Sequence, residues 1–192
     1  MSRVKEFDET EVLDRALELF RARGFKHTSF TDLVDELGVS RQSLYDTYGD
    51  KQSLFQTALK RYLERGLDLI RRKLEVDEPV RENFTGLFEG LIAGTCSNGS
   101  SGCLMVNSMV ELSPHDAGIR ALALVHAREI ERLFTSRISA AQRQGEIGRG
   151  KDPGELARYL YHTILGFAVA SRALGDKDAL RQSACLALQV FD

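Results

Sequence analysis

Apolar residues in this chain recur at spacings of three and four, and over no useful length do they alternate with polar ones. That pattern predicts helices throughout. Val12, Leu13, Ala16, Leu17 and Phe20 define a first helix from Glu9 to Arg23, which Gly24 ends. Phe30, Leu33, Val34 and Leu37 share one face of a short second helix. Ser29 and Asp32 before and within it have the form of a capping box. A long helix runs from Lys51 to about Leu74, with Leu54, Phe55, Ala58, Leu59, Tyr62 and Leu63 as its first buried stripe. Further helices cover Val80 to about Thr95, Cys103–Leu112, Ala117 to about Gln144, Pro153–Leu174 and Ala179–Phe191. Breaks fall at Asp77-Glu78-Pro79, Ser97–Gly102, Ser113–Asp116, Gly145–Gly150 and Gly175–Asp178. The expected fold class is all-α.

One stretch is more informative than the rest. After Leu37, Gly38 supplies the left-handed backbone that ends a helix at no steric cost. Val39 can tuck under the corner, and Ser40 is a good N-cap for the next helix. In that helix Leu44 and Tyr48 face inward, which leaves Arg41, Gln42, Ser43, Tyr45 and Thr47 outside. Two short helices joined by a glycine turn make a helix-turn-helix, and those outer residue types bond base edges and phosphates. A plain helical hairpin in a core would have no packing use for that polar face.

The segments Thr28–Val34, Leu37–Ser40, Ser43–Tyr45, Tyr48 and Asp50–Phe55 resemble the DNA-binding domain of the tetracycline-repressor family over roughly residues 8–60. The resemblance implies a dimeric, usually repressing transcription factor with an all-helical ligand-binding C-terminal domain. It divides the chain into a reading domain, residues 1–50, and a ligand-binding and dimerisation domain, residues 51–192. It implies DNA contacts from Ser29, Thr31, Ser40, Arg41, Gln42, Ser43, Tyr45, Thr47, Tyr48 and Lys51. Among these, Tyr45 and Lys51 match positions that bond phosphates, while Arg41, Gln42 and Thr47 lie where side chains reach bases. The expected partner is a palindromic double-stranded operator, because a lone helix-turn-helix reads too few bases and two-fold pairing matches a palindrome.

Composition changes this picture little. At 192 residues the chain can bury a real core. Its net charge of −2 is unhelpful for nucleic acid, so positive charge must be local, from Arg3, Lys5, Arg41 and Lys51. No apolar run is long enough to span a bilayer and no signal-peptide pattern opens the chain, so a cytoplasmic location without membrane contact is expected. Cys96, Cys103 and Cys185 have neither metal-ligand nor disulfide-framework spacing, which favours free thiols. The four histidines, His27, His115, His126 and His162, are scattered, and no phosphate loop or His-Glu-x-x-His is present. Neither an enzyme nor a bound cofactor is expected.

The remaining candidates concern an unknown small-molecule effector and assembly. Tyr62, Phe84, Phe88, Ile92, Met105, Met109, Phe134 and Tyr161 are candidate pocket walls, and Asn107, Glu111 and His126 candidate polar anchors; a filled core is the alternative for each. Cys103 stands at a helix N-terminus, which favours a thiolate; with Cys96 across the loop it suggests a thiol sensor of oxidants or electrophiles, against two small apolar fillers. Gly166, Ala168, Ala170, Ser171, Ala173, Ala179, Ala184 and Ala187 make the last two helices rich in small residues. The resemblance implies that these helices pair with their copies as a four-helix bundle in a homodimer. The rival from another class is a helical dimeric binding module with no role on DNA.

Overall fold

The computed structural model describes residues 7–95 and 102–192; Arg3, Lys5, Cys96 and most of the Ser97–Gly102 break lie outside the described residues. Among those described, the helices are α1 Glu9–Arg23, α2 Phe30–Leu37, α3 Arg41–Tyr48, α4 Lys51–Leu74, α5 Val80–Thr95, α6 Leu104–Glu111, α7 Ala117–Gln144, α8 Pro153–Ala173 and α9 Lys177–Ala187. A short 3-10 turn, Leu188–Phe191, closes the chain. The fold is all-α, as the spacing predicts. The last helix starts two residues earlier than its apolar pattern suggests, because the Asp176 carboxylate accepts the N–H groups of Asp178 and Ala179. Its final turn tightens to 3-10 at Leu188.

Caps set the helix starts that position the reading head. Asp8 accepts from Thr10 N–H at 2.7 Å and begins α1. Ser29 and Asp32 form the reciprocal capping box of α2. Gly38 ends α2 at φ 65°, a conformation that any side chain would strain. Ser40 then accepts from Ser43 N–H at 3.1 Å and starts α3. Asp50 does the same for α4 through Ser53 N–H at 2.7 Å.

Two hydrophobic cores result, and α4 runs through both. The first gathers α1, α2, Leu44 of α3, the first half of α4, Leu104 and Met105 of α6, Leu112 just after it, and Ile119 and Ala123 of α7. The second gathers Ile70 and Leu74 at the far end of α4 with α5, the C-terminal half of α7, α8 and α9. At 24 residues α4 is about 36 Å long. Polar ties supplement the packing between head and body. Arg61 and Arg65 of α4 bond the Asp14 carboxylate of α1 at 2.9 and 2.6 Å. Those two guanidinium groups, Arg65 foremost, hold Asp14 below its usual range. The Gln52 amide bonds Asp116.

The small residues of α8 and α9 divide into two sets, with Ala170 half-buried between them. Ala168, Ser171, Ala184 and Ala187 are buried within the protomer, where α8 lies along α7 and against α9. Gly166, Ala173 and Ala179 are exposed. Tyr159 and Val169 of α8 and Leu186 of α9 are exposed apolar side chains. Only the second set is free to meet another molecule.

Candidate DNA-reading surface and effector region

The outward face of α3 carries Arg41, Gln42 and Tyr45, all exposed, with Ser43 and Thr47 half-buried. Leu44 anchors the helix from below and is 1% exposed. Gln42 donates to the Asp46 carboxylate one turn on, at 2.7 Å. Ser40 and Ser43 are bonded to each other at 2.9 Å, so both hydroxyls serve the helix start. Ser29 is likewise engaged in its own capping box. Thr31, on the first turn of α2, is exposed and accepts from Arg41 at 3.2 Å. The Tyr45 ring stacks on Phe30, centroids 4.3 Å apart and 9° from parallel.

Two residues of the expected DNA-contact set are engaged within the protomer. Tyr48 packs against the first core, and its hydroxyl is buried without a partner among the described residues. Burial, then the charge of Glu9, pushes its phenol up to about 12. The helical period is the reason: Tyr48 lies one turn beyond Leu44 and shares its inward face. Lys51 donates to the carbonyls of Phe25 and Thr28, both at 3.0 Å, and its ammonium stands 4.1 Å from the Phe25 ring centroid. It clamps the start of α4 to the turn between α1 and α2. One of its three N–H bonds is left over.

The candidate effector residues separate into three groups. Phe84 and Phe134 are fully buried, with rings 4.9 Å apart, and Phe84 also meets Phe191 at 5.3 Å. Phe88 packs edge-on to Phe167 at 5.4 Å, and Ile92 is buried in the same core. All four pack in the second core. Met105 is buried in the first core. The second group surrounds the thiol. The Tyr62 hydroxyl donates to Cys103 Sγ at 3.5 Å, and burial, followed by the neighbouring Cys103, pushes that phenol up. Tyr161 is 4% exposed, and burial foremost, then Cys103, raises it to about 12. The third group turns away. Asn107 and Glu111, one turn apart on α6, line an open groove of about 710 Å³ between the head and the ends of α6 and α8. There the Glu111 carboxylate accepts from Lys26 N–H at 3.2 Å, in the turn between α1 and α2. Glu111 therefore ties the body to the reading head.

His126 stands apart on α7, near the meeting of the two cores. Its Nδ1 is buried without a hydrogen bond among the described residues, and burial draws the imidazole down to about 4 from 6.5. Between those values the unfolded chain binds a proton that the folded one refuses, so stability rises with pH through that window. The contribution is fully present above about 6.5 and is lost as pH falls toward 4. At pH 5 the loss amounts to about 1–2 kcal/mol once partial exposure is allowed for. His126→Gln is expected to narrow the loss of urea stability between pH 7 and pH 5 by that amount. An unchanged pH profile would mean that His126 is not buried neutral.

Among the described residues no helix is long and apolar enough to cross a membrane. Residues 12–58 match the family model of bacterial regulatory proteins of the tetR family, and residues 82–186 that of a tetracyclin repressor-like C-terminal domain. The chain is 37% identical over 194 residues, the whole of both proteins, to the uncharacterised HTH-type transcriptional regulator YezE of Bacillus subtilis. It is 31% identical to the HTH-type transcriptional repressor ComR of Escherichia coli, over 98% of this chain and 91% of ComR. In structure it is similar to a cysteine mutant of the TetR-family regulator CifR complexed with 26-bp operator DNA. The TM-score is 0.88, with 26% identity and full coverage of both chains.

Proposed function

Because the chain belongs to the tetracycline-repressor family of bacterial transcriptional regulators, we propose that Arg41, Gln42, Tyr45 and Thr47 read a palindromic operator. Two copies do so, from successive major grooves. The observation that carries this reading is the exposed polar face of α3, set on the buried Leu44 and flanked by a left-handed Gly38. Its contacts outside α3 include the Phe30 ring and the Thr31 hydroxyl of α2. The repressor ComR and the operator-bound CifR support the sign and the partner. The protein works in the cytoplasm, where its operator is.

Release is assigned to a small molecule acting on the body. A ligand shifts the DNA-competent state only by its preference between two states. The elements that can convey that preference are α4, shared by both cores, and the Glu111–Lys26 bond. The Tyr62–Cys103 contact favours a second reading, in which the effector is an oxidant or electrophile that modifies Cys103. Cys103→Ser would then abolish release by oxidants and leave operator affinity intact.

The test is a gel-shift titration on the DNA upstream of the protein's own gene, at several salt concentrations. Binding should weaken steeply with salt. Arg41→Ala should cost about 1–3 kcal/mol on the operator and relax preference at one base position. A wild-type protein without salt-dependent preference for a palindrome would leave the DNA-free binding module as the correct reading. Full affinity and preference in Arg41→Ala would displace α3 as the reading helix.

A further inference from the structure

The geometry points to Phe30 as a positioning residue for sequence recognition: its ring sets the direction of both Arg41 and Tyr45 before DNA arrives. This inference rests on the DNA-reading role proposed for α3. Phe30 is the first residue of α2 and so lies outside the reading helix. It is partly buried, packed against the first core. Against it lie two side chains of α3, one turn apart. The Tyr45 ring stacks parallel to it at 4.3 Å. The Arg41 guanidinium carbon stands 5.2 Å from its centroid, while the same guanidinium donates to the Thr31 hydroxyl at 3.2 Å.

The chemistry of this hold matters more than its strength. Arginine is long and flexible, and an unheld guanidinium must lose that freedom when it forms bidentate bonds to a base. A carboxylate would also hold it, but would cancel its charge and would have to be displaced. Asp32, the carboxylate next in sequence to Thr31, is already occupied. It accepts from Ser29 N at 2.7 Å and Ser29 Oγ at 2.6 Å, and from Arg23 at 3.1 Å. Arg41 is left with an aromatic face and one neutral hydroxyl, which orient it while keeping its charge and most of its N–H groups. Tyr45 is held by the same ring through one face, with 41% of its surface exposed.

Placement predicts a separation of two measured quantities. Removing the ring leaves the charge of Arg41 in place, so the salt slope stays. What falls is discrimination between the operator and a duplex changed at the base pair whose preference Arg41→Ala relaxes. Phe30→Leu should lose about five- to tenfold of that discrimination, with its melting temperature and salt slope close to wild type. Phe30→Tyr, which keeps the ring, should restore it. In the double variant with Arg41→Ala, Phe30→Leu should add nothing further at that base pair. If Phe30→Leu fails to fold, Phe30→Met is read in the same way. Wild-type discrimination in the leucine variant overturns the inference. So does an equal loss on every sequence that Phe30→Tyr does not rescue, which is the mark of a merely structural residue. Failure of the underlying DNA reading shows earlier and separately, as a wild-type protein with no palindrome preference.

Discussion

Gly166→Glu is expected to yield a folded monomer that has lost about 10²–10⁴-fold of its affinity for a palindromic operator. The substitution is chosen because it is harmless inside the protomer. Gly166 lies on the exposed side of α8, and a Cβ built there meets nothing within 4 Å. Glutamate also favours a helix over glycine, so the protomer should be no less stable. The charge falls on a helix face shared with the exposed Tyr159 and Val169 of α8. If two copies meet across that face, a glutamate and its two-fold mate are brought close together in a drying interface, where like charges repel strongly. A monomer then has one reading head, and the linked second binding event is gone. Sedimentation should show the monomer, and titration against a palindrome and a single half-site should give nearly equal affinities. A dimer with undiminished operator binding would move the interface to another face.

Phe84→Ala should lower stability by about 3–5 kcal/mol. For a chain of this size that is roughly 6–20 °C in melting temperature. The phenyl ring of Phe84 is fully buried, edge-on to Phe134 and in contact with Phe191. Its removal leaves a cavity that packed neighbours on α7 and the C-terminal turn can fill only in part. The result separates two roles that this residue type serves equally well. A wall of a standing effector pocket would lose little packing on truncation and would change chiefly the response to effector. A core residue loses stability first. Thermal denaturation of the free protein decides between them, and a shift below about 1 kcal/mol would return Phe84 to the pocket.

The sequence alone determined the parts of this protein that depend on near neighbours. Helix spans, the capping box at Ser29 and Asp32, the left-handed Gly38 and the inward Leu44 all follow from residues within four positions of one another. So does the polar outer face of α3 and, through the longer run of matched residues, the family. Period also says that Asn107 and Glu111 share a face of α6, and that Tyr48 lies with Leu44. It does not say which neighbour that face meets. The tertiary structure decided that Glu111 bonds the backbone of Lys26, 85 positions away, and that Lys51 is drawn onto the carbonyls of Phe25 and Thr28. It brought Phe84 and Phe134 into contact in the second core, and buried half the small residues of α8 and α9 within the protomer. Phe30 reads in the sequence as one more apolar position, and only the angle between α2 and α3 brings Arg41 and Tyr45 onto its ring. Local order comes from backbone sterics and nearby hydrogen bonds, which four residues can specify. The partner of an outward side chain depends on how whole helices cross, and that is set by the packing of both cores together.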